Sequence, residues 1–169
     1  SSNYYLSVYN INNGQLIHRI QTKNNNYLFS PEWINDDEVV AVVLVNEGKR
    51  LARFNLNSGK MEFLTNRDLG EIKNLNVQNE HIFFISSYSG KNSLYDFNLS
   101  NNTIQQIYEP RFGAAYPAIS PNGHKMIFSD YTADGFRILQ TPYVPDNSIP
   151  LENIKAYKYK LADDLAAQE

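Results

Sequence analysis

The 169-residue chain contains no cysteine, one tryptophan, two methionines and three histidines. Without cysteine there is no disulfide framework, no thiolate zinc site and no thiol nucleophile. The same lack leaves the compartment open. Long hydrophobic runs are missing too: the longest, residues 39–45, falls far short of the roughly 20 apolar residues a bilayer-spanning helix needs. No signal-peptide pattern stands at Ser1, which leads us to expect a chain that begins inside something longer or has been trimmed. Nor does one sign of charge dominate. The net charge is -3 with both signs scattered, so no field argues for nucleic acid or an anionic membrane as partner.

What the chain does hold is asparagine, its commonest residue, together with tyrosine and phenylalanine, in short apolar runs punctuated by Ser, Gly, Pro and Asn. That composition favours strands and tight turns over helices. The stretch 116–130 reads as a strand, a Pro121-Asn122-Gly123 turn and a strongly apolar second strand. Counterparts lie upstream: Pro31, Asn74 and Pro117 are 43 residues apart, as are Phe54-Asn55-Leu56 and Phe97-Asn98-Leu99. A period of about 40–45 residues with four strands per unit is the signature of a β-propeller blade.

The expected fold is therefore all-β, with antiparallel four-stranded blades of a propeller, about three and a half of them in an incomplete ring. Residues 1–26 supply the C-terminal half of a blade, and 27–70, 71–112 and 113–159 a blade each. In the last blade, 149–159 is the expected fourth strand, and 160–169 a helix-favouring linker or tail. Propellers close with four to eight blades, and an unclosed array would expose apolar faces and strand edges. The chain is thus expected to be a segment of a larger propeller, with association of two copies the less favoured alternative.

Several motifs resemble a TolB-like or tricorn-type propeller repeat. Ser120-Pro121-Asn122-Gly123 followed by Met126-Ile127-Phe128-Ser129 is the best match; Pro31-x-Trp33, Asn55-Leu56-x-x-Gly59 and Leu64-Thr65 match in the first full unit. The middle unit departs, since residues 75–79 lack both Pro and Gly. Leu161-Ala162-Asp163-x-Leu165-Ala166-x-Gln168-Glu169 is similar to large Bacteroidetes envelope proteins in which such a propeller precedes further domains. The resemblance implies a periplasmic or cell-surface location, and a blade type that serves many functions.

The candidate sites are sparse. His18, His81 and His124 show no metal-ligand spacing and read as surface or edge residues, and no Gly-x-Ser-x-Gly nucleophile motif occurs. Asp36-Asp37-Glu38 is an acidic cluster better explained by turn geometry. Asp130 and Asp134 bracket a hairpin with Gly135 without a calcium ligand series. The sequons at Asn98 and Asn101 read as turn residues. No metal, cofactor or catalytic residue is expected.

Trp33 and Tyr116, on first strands, are candidates for channel-facing aromatics. The connectors between blades carry Lys23, Arg67, Asp68, Glu71, Arg111 and Phe112, a mixed set able to grip a peptide or polar ligand. Two functional readings follow. The first is a non-catalytic binding or scaffold segment of a larger bacterial envelope protein, whose partners are the remaining blades of its own polypeptide and a protein, peptide or saccharide. The second is the gating propeller of a prolyl-oligopeptidase-like or tricorn-like serine peptidase with its catalytic domain elsewhere in the polypeptide.

Overall fold

The structure, a computed structural model, describes residues 3–158, 160, 164, 165, 167 and 168. Most of the tail at 160–169 lies outside the described residues. Apolar strands alternate with Asn- and Gly-bearing turns, and the chain folds into four antiparallel sheets taken in sequence order. The first is the hairpin β1 (Tyr5–Tyr9) and β2 (Leu16–Gln21). The second is β3 (Leu28–Asn35), β4 (Glu38–Val45), β5 (Gly48–Asn55) and β6 (Lys60–Phe63). The third holds β7 (Ile72–Gln78), β8 (His81–Ser86), β9 (Ser93–Asn98) and β10 (Thr103–Tyr108). The fourth is β11 (Ala114–Ile119), β12 (Lys125–Thr132) and β13 (Gly135–Pro142).

Each sheet is a blade or part of one, and the core lies between them. Side chains alternate across a strand, so β4 feeds two cores at once. Val39, Ala41 and Val43 pack with Leu6, Ile20 and Phe54 against the N-terminal hairpin. Val40 and Val42 pack with Leu51 against Ile82, Phe84, Tyr95 and Phe97 of the next blade. The third core, with Ile85, Leu94, Ala114, Met126 and Phe128, joins the last two blades. An apolar central strand is the consequence of burial on both faces. Among the first strands, β7 neighbours both β3 and β11, which places these strands innermost.

The end of the chain departs from expectation. The last blade has three strands, and β14 (Ile149–Pro150) pairs instead with β10 of the blade before, Gln105 opposite Pro150 and Gln106 opposite Ile149. The reason is apolar burial: Leu151, just after it, is 5% exposed and joins the core between the two full blades. The segment then continues to Tyr157, whose N–H donates to the Tyr88 carbonyl at 2.8 Å.

Candidate functional site

The three innermost strands share one defect. Their pairing slips between Phe29 and Glu32 in β3, between Lys73 and Asn76 in β7, and between Ala115 and Ala118 in β11. At each slip one residue adopts the left-handed conformation: Ser30 (φ 52°), Asn74 (φ 54°) and Tyr116 (φ 53°). Pro31 and Pro117 follow two of them, and a proline, having no N–H for the ladder, belongs at a bulge. Asparagine tolerates this conformation; for serine and tyrosine it costs roughly 1–2 kcal/mol. Such strain gathers at functional positions.

The bulges re-aim side chains toward a common cleft. Ser30, Glu32, Asn74, Asn76, Tyr116 and Ala118 line an open space of about 440 Å³ across the inner strands. The Tyr116 N–H, freed from its ladder, donates to Asn74 Oδ1 at 3.3 Å. The cleft thus offers one carboxylate, two amides, two hydroxyls and an aromatic ring, a set able to hydrogen-bond a polar chain.

Of the two aromatics proposed for the channel, Tyr116 lines this cleft and is 71% exposed, whereas Trp33, 52% exposed on β3, lies outside its lining. The six connector residues do not converge. Lys23 faces a separate cleft beside Asn24, Glu47 and Arg50, and Arg67 a larger one of about 600 Å³. The Asp68 carboxylate accepts from the Lys49 and Gly70 amides at 2.9 and 3.0 Å, and so shapes the backbone. Glu71 pairs with Lys49. The Arg111 guanidinium lies 5.0 Å from the centre of the Phe112 ring, which is itself half exposed.

One cluster was not legible in the sequence. His81 Nδ1 lies 2.8 Å from Oδ2 of Asp96, directly within the sheet of β8 and β9, and the Tyr143 hydroxyl donates to the same oxygen at 3.1 Å. His81 is therefore no simple surface histidine; its side chain is one-third exposed and Asp96 is buried. Burial pushes the Asp96 carboxyl above the ordinary aspartate range, against the opposing pull of His81 and Tyr143. Burial, and then the nearby Asp96 carboxylate, hold the Tyr143 hydroxyl well above the ordinary tyrosine value. Neither partner shares a sequence motif, so only cross-strand register would have revealed them.

Elsewhere, Glu38 accepts from Asn35 at 3.2 Å and faces Arg53 at 3.7 Å, and Asp134 pairs with Arg137 at 2.7 Å. Among the described residues no three His, Cys, Asp or Glu side chains cluster as a metal site would require.

The inter-blade cores and inner strands define a β-propeller segment. More particularly, the solved structures it is similar to include two TolB proteins and the tricorn protease. TolB from Acinetobacter baumannii superposes with a TM-score of 0.64 at 14% identity, over 86% of this chain and 37% of that one. A putative TolB from Agrobacterium tumefaciens gives 0.61 at 19% identity, over 88% of this chain and 60% of that one. The tricorn protease gives 0.57 at 14% identity, over 82% of this chain and 13% of that one. These likenesses establish the fold, and the chain spans under two-thirds of each neighbour's length. No protein-family model matches the sequence, and no curated protein matches it.

Proposed function

We propose that the chain is a non-catalytic binding or scaffold segment of a larger propeller, presenting its inner cleft and inter-blade connectors to a protein, peptide or saccharide partner. An envelope location is part of the same proposal and rests on the TolB-type likeness. Among the described residues no helix is long and apolar enough to cross a membrane.

The observation that carries this reading is the outer face of the last blade. Ile127 pairs with Gln140 and Ser129 with Ile138. These pairs occupy the places held by Phe83–Asp96 and Ile85–Leu94 in the second full blade, and by Val40–Arg53 and Val42–Leu51 in the first. In those blades the aliphatic members are shut between sheets. In the last blade Ile127 is 44%, Phe136 68% and Ile138 82% exposed. Fully burying one such side chain is worth roughly 1.5–3 kcal/mol, so a face of this kind favours a covering blade.

Sedimentation of the isolated chain across a range of concentrations tests the scaffold half. Self-association or loose packing is expected, relieved by the double variant Phe136→Asp/Ile138→Asp. A rigid monomer with a sharp melting transition would overturn it. For the binding half, amide shifts at Ser30, Asn74 and Tyr116 on addition of oligopeptides or oligosaccharides are the expected signal, and silence there would count against the inner cleft.

A further inference from the structure

A second cleft, of about 600 Å³, opens at the outer rim between the two full blades. Its walls are the end of β6 at Phe63, strand β10, and the returning segment at Pro150 and Leu151. Arg50 and Arg67 both line it, and Arg50 and Phe63 also border the neighbouring cleft that holds Lys23. Three cations thus face two carboxylates, those of Glu47 and Glu152, across the joined clefts.

The cations are under-used. Arg67 has no ion pair among the described residues, and Arg50 reaches only Glu47, at 3.4 Å. The Arg50 Nε–H is shielded from solvent and meets no acceptor among the described residues. Its guanidinium carbon sits 5.6 Å from the centre of the Phe63 ring, which holds the planar group against an apolar surface. Guanidinium groups so placed recognise carboxylates, often through paired hydrogen bonds.

The backbone beside them offers a second handle. Among the described residues strand β6 pairs only with β5, which leaves its outer edge open, whereas the corresponding edge of β10 already carries β14. The chain itself therefore displays the mode of recognition, an extended segment added to a blade's outermost strand. We propose that the rim cleft binds an extended peptide segment bearing a carboxylate, added alongside β6, with the carboxylate on Arg50 and Arg67. This site is separate from the inner cleft and does not depend on it.

The test uses the whole ¹⁵N-labelled chain and the probe acetyl-Thr-Val-Asp-Val-Thr-amide. Expected are amide shifts at Met61, Glu62 and Phe63 and at Thr103 and Ile104. Affinity should fall at least tenfold for the Asp-to-Asn peptide, and again for Arg67→Gln, whose exposed side chain leaves the fold untouched. Equal affinity for the two peptides, or unshifted β6 amides, would overturn the proposal. So would a uronic-acid trisaccharide that shifts the same amides when the peptide does not. Shifts confined to Ser30, Asn74 and Tyr116 would sink the rim site and leave the inner cleft standing.

Discussion

Tyr143 donates its hydroxyl to Asp96 Oδ2 at 3.1 Å, and so ties the segment after β13 to the middle strand of the preceding blade. The Tyr143 ring meets Phe83 edge-on at 5.5 Å in the same place. A polar clasp is thereby set into an otherwise apolar seam. Its pH dependence has a definite sign. Because the folded state holds the Tyr143 hydroxyl above its ordinary value, the stability it contributes is intact below the unfolded tyrosine value, about 10. That contribution is lost as the pH rises through the folded value. Tyr95 and Tyr108 are raised as well, each chiefly by burial, and act in the same direction. Urea unfolding between neutral and strongly alkaline pH should show stability falling above about pH 10, with a shallower fall in Tyr143→Phe. An unchanged slope in that variant would mean that the clasp does not titrate with folding.

The bulge at Tyr116 gives a prediction of opposite sign to most substitutions. Its φ of 53° suits glycine better than tyrosine. Tyr116→Gly should therefore raise stability by about 1 kcal/mol, read from the urea midpoint, because the exposed ring makes little packing to lose. The same variant should weaken any ligand of the inner cleft. Loss of stability instead would show that the ring is structural.

Much of the fold was legible because a blade repeats its needs. Each unit requires an apolar central strand and a turn at its start, so Val39, Ile82 and Met126 recur at nearly the same interval. The paired prolines Pro31 and Pro117 marked the inner strands, though not that they bulge. What could not be read were contacts between distant positions. Asp96 meets His81 through cross-strand packing, and Arg50 meets Phe63 across β5 and β6. The connectors show a related limit: Asp68 has the composition of a binding residue, but its carboxylate is engaged by two backbone amides. Ile149 and Pro150 join β10 rather than their own blade, and nothing local shows which edge a short strand will join.

Gly48 and Asp68 are coupled. Gly48 has φ +124°, and a Cβ there would lie 2.2 Å from Asp68 Cγ. Gly48→Ala should cost about 1–3 kcal/mol from the backbone alone, with the clash in addition. In the Asp68→Ala background the contacts with the carboxyl group go but the Cβ of residue 68, at 2.6 Å, stays, so the clash is eased and the backbone cost remains. The two substitutions should therefore be less than additive in a double-mutant cycle by denaturant titration. Strict additivity would mean that the Asp68 side chain simply swings aside.

Leu151 decides whether the returning segment is an ornament or part of the core. It is 5% exposed and packs in the core between the two full blades, with Ile154 half-buried against the same cluster. The strand it anchors has two residues and pairs at only two positions of β10, too little to hold by backbone hydrogen bonds alone. Leu151→Ala should cost about 2–5 kcal/mol and release β14. Hydrogen exchange at the β10 amides should then quicken toward that of an open edge, while exchange in β4 and β8 changes only with global stability. Substitution of Glu152, exposed one residue further on, should leave both readouts unchanged. If Leu151→Ala lowers stability but exchange in β10 rises no more than elsewhere, the segment is fused to the core as a single cooperative unit. If exchange rises in β10 alone, it is a separable strap, held by one side chain.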